Sequence, residues 1–385
     1  MPETALTPIF NSRLAVLLTF FINGAVLATW VSRIPALQAS LALSEADLGL
    51  VLVGLSAGVL VALSVVGGWI ARFGSPRVTG MGAAGICLTL PLLAISPSPF
   101  ALWIVLFLFG AGLSSMDVAM NEQAVLVERR SGRSLMSSFH AGFSVGGLAG
   151  ALIGAGMAAV PALTPPVHFI IISLAAGAVM ALSYPRLIHP ETRTKEKGPA
   201  FRLPERALWL LGAVAFCSAV GEGAMADWSG VYLARVFSTG ESFAALGFAA
   251  FSLTMTAGRV FGDALTQAWL PARIIRAGGL AAAGGLAAAV LTGEPWIVLL
   301  GFGAVGLGLA NIIPLAFSAA GNLPHIPTGT GIAGVATIGY AGFLAGPPLI
   351  GLVAEATSLR FGLGLVGLLV GSLVVTAGAV SDDRG

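Results

Sequence analysis

Residues 51–70 read VLVGLSAGVLVALSVVGGWI, twenty consecutive positions without a charge. A helix needs about 20 apolar residues to cross the hydrocarbon core of a bilayer. This run lies within a helix expected over 45–71. Eleven more of the same kind are expected at 13–33, 77–96, 99–127, 134–160, 166–185, 206–236, 243–269, 273–292, 295–320, 328–355 and 360–380. Asp, Glu, Lys and Arg make up 9% of the 385 residues, against about 25% in a soluble domain. The composition therefore implies an all-α integral membrane protein with 12 transmembrane helices, not a string of soluble domains.

The remaining bulk features agree. Many of the 52 glycines lie inside the apolar runs, where small residues let membrane helices approach closely. A net charge of +2 gives no reason to expect a nucleic-acid partner. Cys87 and Cys217 both fall inside apolar segments and read as packing residues. The first apolar run is long and lacks an A-x-A ending, so no cleavable signal peptide is expected.

The junctions between runs are short and rich in helix breakers, such as Ser96-Pro97-Ser98-Pro99 and Gly293-Glu294-Pro295. One connector differs. Residues 186–205 carry Arg186, Arg193, Lys195, Lys197 and Arg202 and no apolar run. They read as a solvated linker between a six-helix lobe at 1–185 and a second at 206–385. Arg72, Arg77, Arg129, Arg130, Arg133, the linker, Arg273 and Arg276 fall on one side of the membrane. Only Arg33, Arg235 and Arg360 fall on the other. The positive-inside rule then places both termini and the linker in the cytoplasm.

The two halves echo each other. Gly146-Gly147-Leu148-Ala149-Gly150 has a counterpart in Gly342-Phe343-Leu344-Ala345-Gly346, and Gly110-Ala111-Gly112-Leu113 in Gly306-Leu307-Gly308-Leu309. Parallel repeats of this kind build two-lobed secondary transporters.

Twelve segments, a basic linker after the sixth and repeated halves resemble the major facilitator superfamily. Gly67-Gly68-Trp69-Ile70-Ala71-Arg72-Phe73-Gly74-Ser75-Pro76-Arg77 is similar to that family's loop signature between helices 2 and 3, with Ala71 where an Asp is usual. Gly258-Arg259-Val260-Phe261-Gly262-Asp263 is similar to the matching element of the second half. Asp117-Val118-Ala119-Met120-Asn121 and Phe139-His140 resemble elements of the fucose-permease branch. There the helix 4 acid and the helix 5 polar residue serve proton coupling and substrate binding. This chain departs in having no acid in its first segment and His in place of Asn at 140. The resemblance implies the major facilitator fold, with two pseudo-symmetric six-helix lobes.

The site candidates are the polar residues that membrane depth makes costly. Asp117 and Asn121 are four apart and share a helix face. Counted from a tight hairpin near 130–131, Asn121 is as deep as His140, and Asp117 lies one turn further in. These three therefore read as a converging acid, amide and imidazole; the plainer alternative is a bonded cluster locking the hairpin. Glu122 and Glu128 lie nearer the basic loop and are expected to pair with Arg129, Arg130 or Arg133.

Glu222, Asp227 and Trp228 form a second group. Glu222 is expected near mid-membrane, with Gly221 and Gly223 permitting a bend. Trp228 reads either as a stacking surface for solute or as part of the outer aromatic belt. Arg259 and Asp263, four apart, can pair with each other. With Arg72 and Arg77 they read as a cytoplasmic gate, or as a static tie. Asn23, Trp30, Asn311 and Tyr340 are weaker cavity candidates.

There is no phosphate-binding Gly-x-x-x-x-Gly-Lys-Ser/Thr loop and no histidine spacing for a metal. No enzyme, no metal and no cofactor are expected; the energy source would be the proton gradient. The first reading is a proton-coupled transporter of a small polar solute, sugar- or polyol-like, acting as a monomer in a bacterial inner membrane. A second is a proton-antiporting exporter, since Gly142, Gly146, Gly147 and Gly150 resemble such an exporter's motif without its Pro. A third is a non-transporting membrane sensor with the same fold.

Overall fold

The computed structural model describes residues 6–132, 135–189, 208–321, 323 and 328–380; within these, some side chains, including that of Asp263, are not described. The described residues form helices and no strand. The first half contains α1 (Leu6–Ser32), α2 (Ile34–Ser40), α3 (Glu45–Phe73), α4 (Ser75–Ala94), α5 (Pro99–Ser131), α6 (Met136–Ala158) and α7 (Pro165–Ser183). The second contains α8 (Leu208–Val236), α9 (Glu241–Val260), α10 (Gly262–Ala268), α11 (Pro271–Leu291), α12 (Pro295–Leu309), α13 (Ile312–Gly321), α14 (Thr328–Ala356), α15 (Leu359–Gly371) and α16 (Leu373–Thr376). Among the described residues, 12 helical spans are long and apolar enough to cross a membrane.

Serine, proline and glycine stop and start these helices, the expected Ser98-Pro99 among them. The Ser98 hydroxyl accepts the Ala101 N–H at 3.2 Å, and Pro99 opens α5. This is a serine N-cap followed by proline in the first turn. At the other end Gly132 takes φ 64° and returns its N–H to the Glu128 carbonyl at 2.9 Å. That is the left-handed exit glycine allows. Gly74, at φ 83°, makes the sharp turn from α3 into α4.

Four spans are more broken than expected, the last, over 360–380, at Ser372. Pro35 starts a separate short helix, α2, after the first span. The expected helix over 243–269 is divided at Phe261, and that over 295–320 at Ala310 and Asn311.

By packing, the described residues fall into two units. One takes residues up to 41 and 54–189, the other 42–53 and the residues from 208 onward. In the first unit α6 lies along α1, and α5 lies along α4. A Cβ at Gly146 or Gly150 would run into carbonyls of Phe21 or Ala25 on α1. A Cβ at Gly58 would run into the Phe107 carbonyl on α5. In the second unit α14 lies along α8, α12 along α11, and α9 along α12. The unit also takes in the start of α3, where a Cβ on Gly49 would lie 2.6 Å from the Pro347 carbonyl oxygen. Each unit thus reuses one pairing plan, as the repeated glycine patterns imply.

Candidate functional site

In the first unit the site is built on α5. Asp117 lies 18 residues from Pro99 and 14 from Ser131, or about 27 and about 21 Å at 1.5 Å per residue. Its side chain is half-buried. Asn121 Nδ2 donates to the Asp117 carbonyl at 2.9 Å and to its Oδ1 at 3.3 Å. Among the described residues no Lys or Arg pairs with Asp117. One turn earlier, buried Asn23 of α1 donates to the Leu113 carbonyl at 3.2 Å. Asn23 therefore anchors α1 on the turn of α5 that precedes the acid.

His140 does not join this pair. α6 begins only at Met136, because Glu128 Oε1 accepts the N–H groups of Leu135 and Met136 and caps its start. α6 then packs on α1, and α5 and α6 barely touch. His140 is exposed and meets Phe20 of α1 edge-on at 5.3 Å. The hairpin geometry expected from the sequence fails because glycines direct α6 to a different helix. Trp30 is a core residue, 1% exposed. Glu122 accepts a hydrogen bond from Ser75 Oγ at 3.1 Å.

In the second unit the acid is Glu222. Its Oε2 stands 3.5 Å from Arg259 Nη2, and Ser218 Oγ donates to its Oε1 at 3.4 Å. The Glu222 side chain is 14% exposed and that of Arg259 is 40% exposed. The spacing of the sequence does not point to this partner. Asp263, the expected partner, has a side chain outside the described residues. The depths explain the pairing. Counted from the turn at 237–240, Glu222 lies 14 residues below Val236 and Arg259 lies 18 below Glu241. At about 1.5 Å per residue that is a difference of about 6 Å, which a long arginine side chain can cover. Arg72 and Arg77 are exposed on the first unit, Arg72 lying over Phe73 at 5.2 Å.

α8 is one continuous helix from Leu208 to Val236 through Gly221 and Gly223. They admit neighbours: a Cβ on Gly221 would stand 2.8 Å from Leu309 and one on Gly223 3.3 Å from Phe343. Asp227 is half-buried and has no bonded partner among the described residues. Trp228 is fully buried, so its ring fills the core and serves neither belt nor stacking surface. Tyr340 is 37% exposed, beside Phe343 on α14. Asn311 is a joint: it sits at the break between α12 and α13 and donates to the Gly258 carbonyl at 3.1 Å.

Two polar knots had gone unseen. Gln123 Oε1 accepts the Ile188 N–H at 2.7 Å, and its Nε2 donates to the Ile188 carbonyl at 2.8 Å and to Ser75 Oγ at 2.9 Å. Arg33 and His168 form the second. A Gln in mid-helix and a lone His carry no local pattern. The signal available was only that polar residues in apolar helices need partners.

The chain matches the Major Facilitator Superfamily profile over residues 15–347. It is 35% identical over 384 residues to an uncharacterised MFS-type transporter of Yersinia pestis, covering 98% of each chain. It is 38% identical to an uncharacterised transporter of Sinorhizobium fredii, covering 93% of this chain and 95% of that one. The solved structure of a point mutant of the nucleoside transporter NupG superposes with a TM-score of 0.80 at 12% identity, covering 96% of this chain and 99% of that one. That likeness speaks to fold. Twelve apolar spans, the sequence match along most of the chain and the shared fold together show that this membrane protein belongs to the Major Facilitator Superfamily of transporters.

Proposed function

We propose that the chain is a proton-coupled secondary transporter that moves a small polar solute, of sugar or polyol type, by alternating access. In this reading it works as a monomer in a bacterial inner membrane, with both termini in the cytoplasm. The observation that carries the proposal is Asp117: a carboxyl at least about 21 Å from either end of its helix, bonded to Asn121 and to no cation among the described residues. A charge held there without a cation is costly. A carboxyl that takes up a proton on one side and gives it back on the other suits the position. Asn121 spends its Nδ2 on Asp117, which leaves its Oδ1 able to accept a solute hydroxyl. The Asp117 and Asn121 pair is also what resembles the fucose-permease branch.

Glu222 and Arg259 supply a second exchangeable charge. The gate reading keeps Arg72, Arg77, Arg259 and Asp263, with Arg259 also paired to Glu222 within the second unit. The exporter reading rests on Gly142, Gly146, Gly147 and Gly150; three of these also form the face on which α6 meets α1, and the direction of flux distinguishes the two readings.

A thermal-shift screen against sugars, polyols and other small metabolites would identify a solute, because a bound ligand stabilises by mass action. Its flux into proteoliposomes under an imposed pH gradient tests the proposal. Uptake that rises with the gradient supports it. A solute that binds without any flux would favour a sensor, and flux indifferent to the gradient would remove proton coupling.

A further inference from the structure

At the end of α1 the chain turns Arg33 inward. Arg33 is 2% exposed and His168, in the first turn of α7, is fully buried. Arg33 Nε donates to His168 Nδ1 at 3.1 Å, and its Nη2 donates to the Leu163 carbonyl at 2.8 Å. A guanidinium can only donate, so Nδ1 must present a lone pair. His168 is then neutral, with its one N–H at Nε2, an atom with no partner among the described residues. The surroundings are tight. Phe169 lies 5.7 Å away centre to centre, and a Cβ on Gly154 of α6 would reach 3.6 Å from His168 Cε1.

A second proton on this ring must enter at Nδ1, where it meets Arg33. It would turn the acceptor into a donor and set two cations in contact. Among the described residues, the elements packed against α7 bring no carboxylate beside the pair; α4 adds the thiol of Cys87, and the far end of α7 is followed by Tyr184 and Arg186. α1 carries Arg13, 20 residues and about 30 Å away. Arg77 on α4 and His140 on α6 stand at the opposite ends of those helices. The first charged residue of α5 after its Pro99 end is Asp117, 18 positions on. α2, residues 159–164 and the rest of α7 carry no titratable side chain.

We propose that Arg33 and His168 form a proton-released latch, tying the α1–α2 turn and the 159–164 segment to the start of α7. The tied form excludes a proton at Nδ1, and the released form, with the imidazole in water, accepts one. Linkage then fixes the sign: the latch holds at neutral and higher pH and is lost as pH falls. With a hydrated imidazole titrating near pH 6.5, release should rise about tenfold for each pH unit below that value. The latch would be at the outer end if the orientation proposed above holds, so that acid outside frees that end. The latch itself does not depend on the transport reading and is tested without it.

The test uses full-length protein with Cys87→Ala and Cys217→Ala and a reporter at Ser32→Cys, a position 3% exposed beside the pair. Maleimide labelling rates are measured from pH 7.5 to 5.5, each divided by the rate in the same protein carrying His168→Gln. Gln can accept from Arg33 but does not titrate, and the ratio cancels the thiol's own pH dependence. The ratio should rise about tenfold across the range. A ratio independent of pH overturns the latch. Should His168→Gln not fold, ¹⁵N chemical shifts of histidine-labelled wild type serve instead. They should show His168 as the neutral Nε2–H form at pH 7.5, converting to imidazolium as labelling rises. A doubly protonated or Nδ1–H ring at pH 7.5 contradicts the proposal.

Discussion

Asp117→Asn removes one titratable proton and little else. Asparagine keeps an oxygen in the same place, so Asn121 Nδ2 retains the acceptor now at 3.3 Å and its 2.9 Å bond to the backbone. Stability should therefore change by less than about 1 kcal/mol. Transport should change qualitatively. One proton crossing 100 mV releases about 2.3 kcal/mol, which at about 1.4 kcal/mol per decade is about 50-fold in solute concentration. Proteoliposomes carrying wild type, with a 100 mV potential applied in either polarity, should hold up to about 50-fold more labelled solute on one side per coupled proton. The variant should equilibrate to about onefold, while exchange of labelled for unlabelled solute continues. Accumulation above about threefold in Asp117→Asn would refute the reasoning and move the coupling role to Glu222.

Arg259→Gln should cost more stability than Glu222→Gln, because it strands a carboxyl that is 14% exposed; about 1–2 kcal/mol is expected after allowing for the arginine's own exposure, and the reverse order in Tm would refute the pairing. Gly146→Leu should drive a side chain into the Phe21 carbonyl of α1 and cost about 3 kcal/mol or more. Gly156→Leu, where a Cβ meets nothing within 4 Å, should leave the monodisperse yield unchanged. Gln123→Ala strands the Ile188 N–H and carbonyl, at about 1–3 kcal/mol, and deuterium exchange at Ile188 should quicken. Reporter fusions at Gly198 and Gly385 should report the cytoplasm and one after Pro97 the outside; an external linker would reverse the orientation.

The twelve spans were legible because their signal is local: each predominantly apolar run of about 20 residues announces its own length. So was the start of α5, since Ser98-Pro99 acts within one turn of itself, while its end at Ser131, set by Gly132, lies four residues beyond the expected 127. Asp117 with Asn121 could be read from a spacing of four, because an α-helix fixes that relation without help. Partnership between helices could not be read in this way. The placing of His140 turned on whether α6 would lie on α5 or on α1. That choice was made by glycines meeting the Phe21 and Ala25 carbonyls on a helix more than a hundred residues earlier. The pairing of Arg259 with Glu222 could not be read from spacing either, because it depends on a long side chain spanning about a turn's difference in depth between two helices. Trp228 beside an acid looked like a ligand surface, and only its complete burial shows it to be core.

Proton movement driven by solute tests the central claim most directly. Proteoliposomes containing the wild-type protein and a trapped pH-sensitive dye would be given an outward or inward gradient of the screened solute, with no imposed pH difference. Proton coupling through the membrane acids requires the internal pH to shift when solute flows, and to stay still in Asp117→Asn. Solute flux through the wild-type protein with no change in internal pH would contradict it.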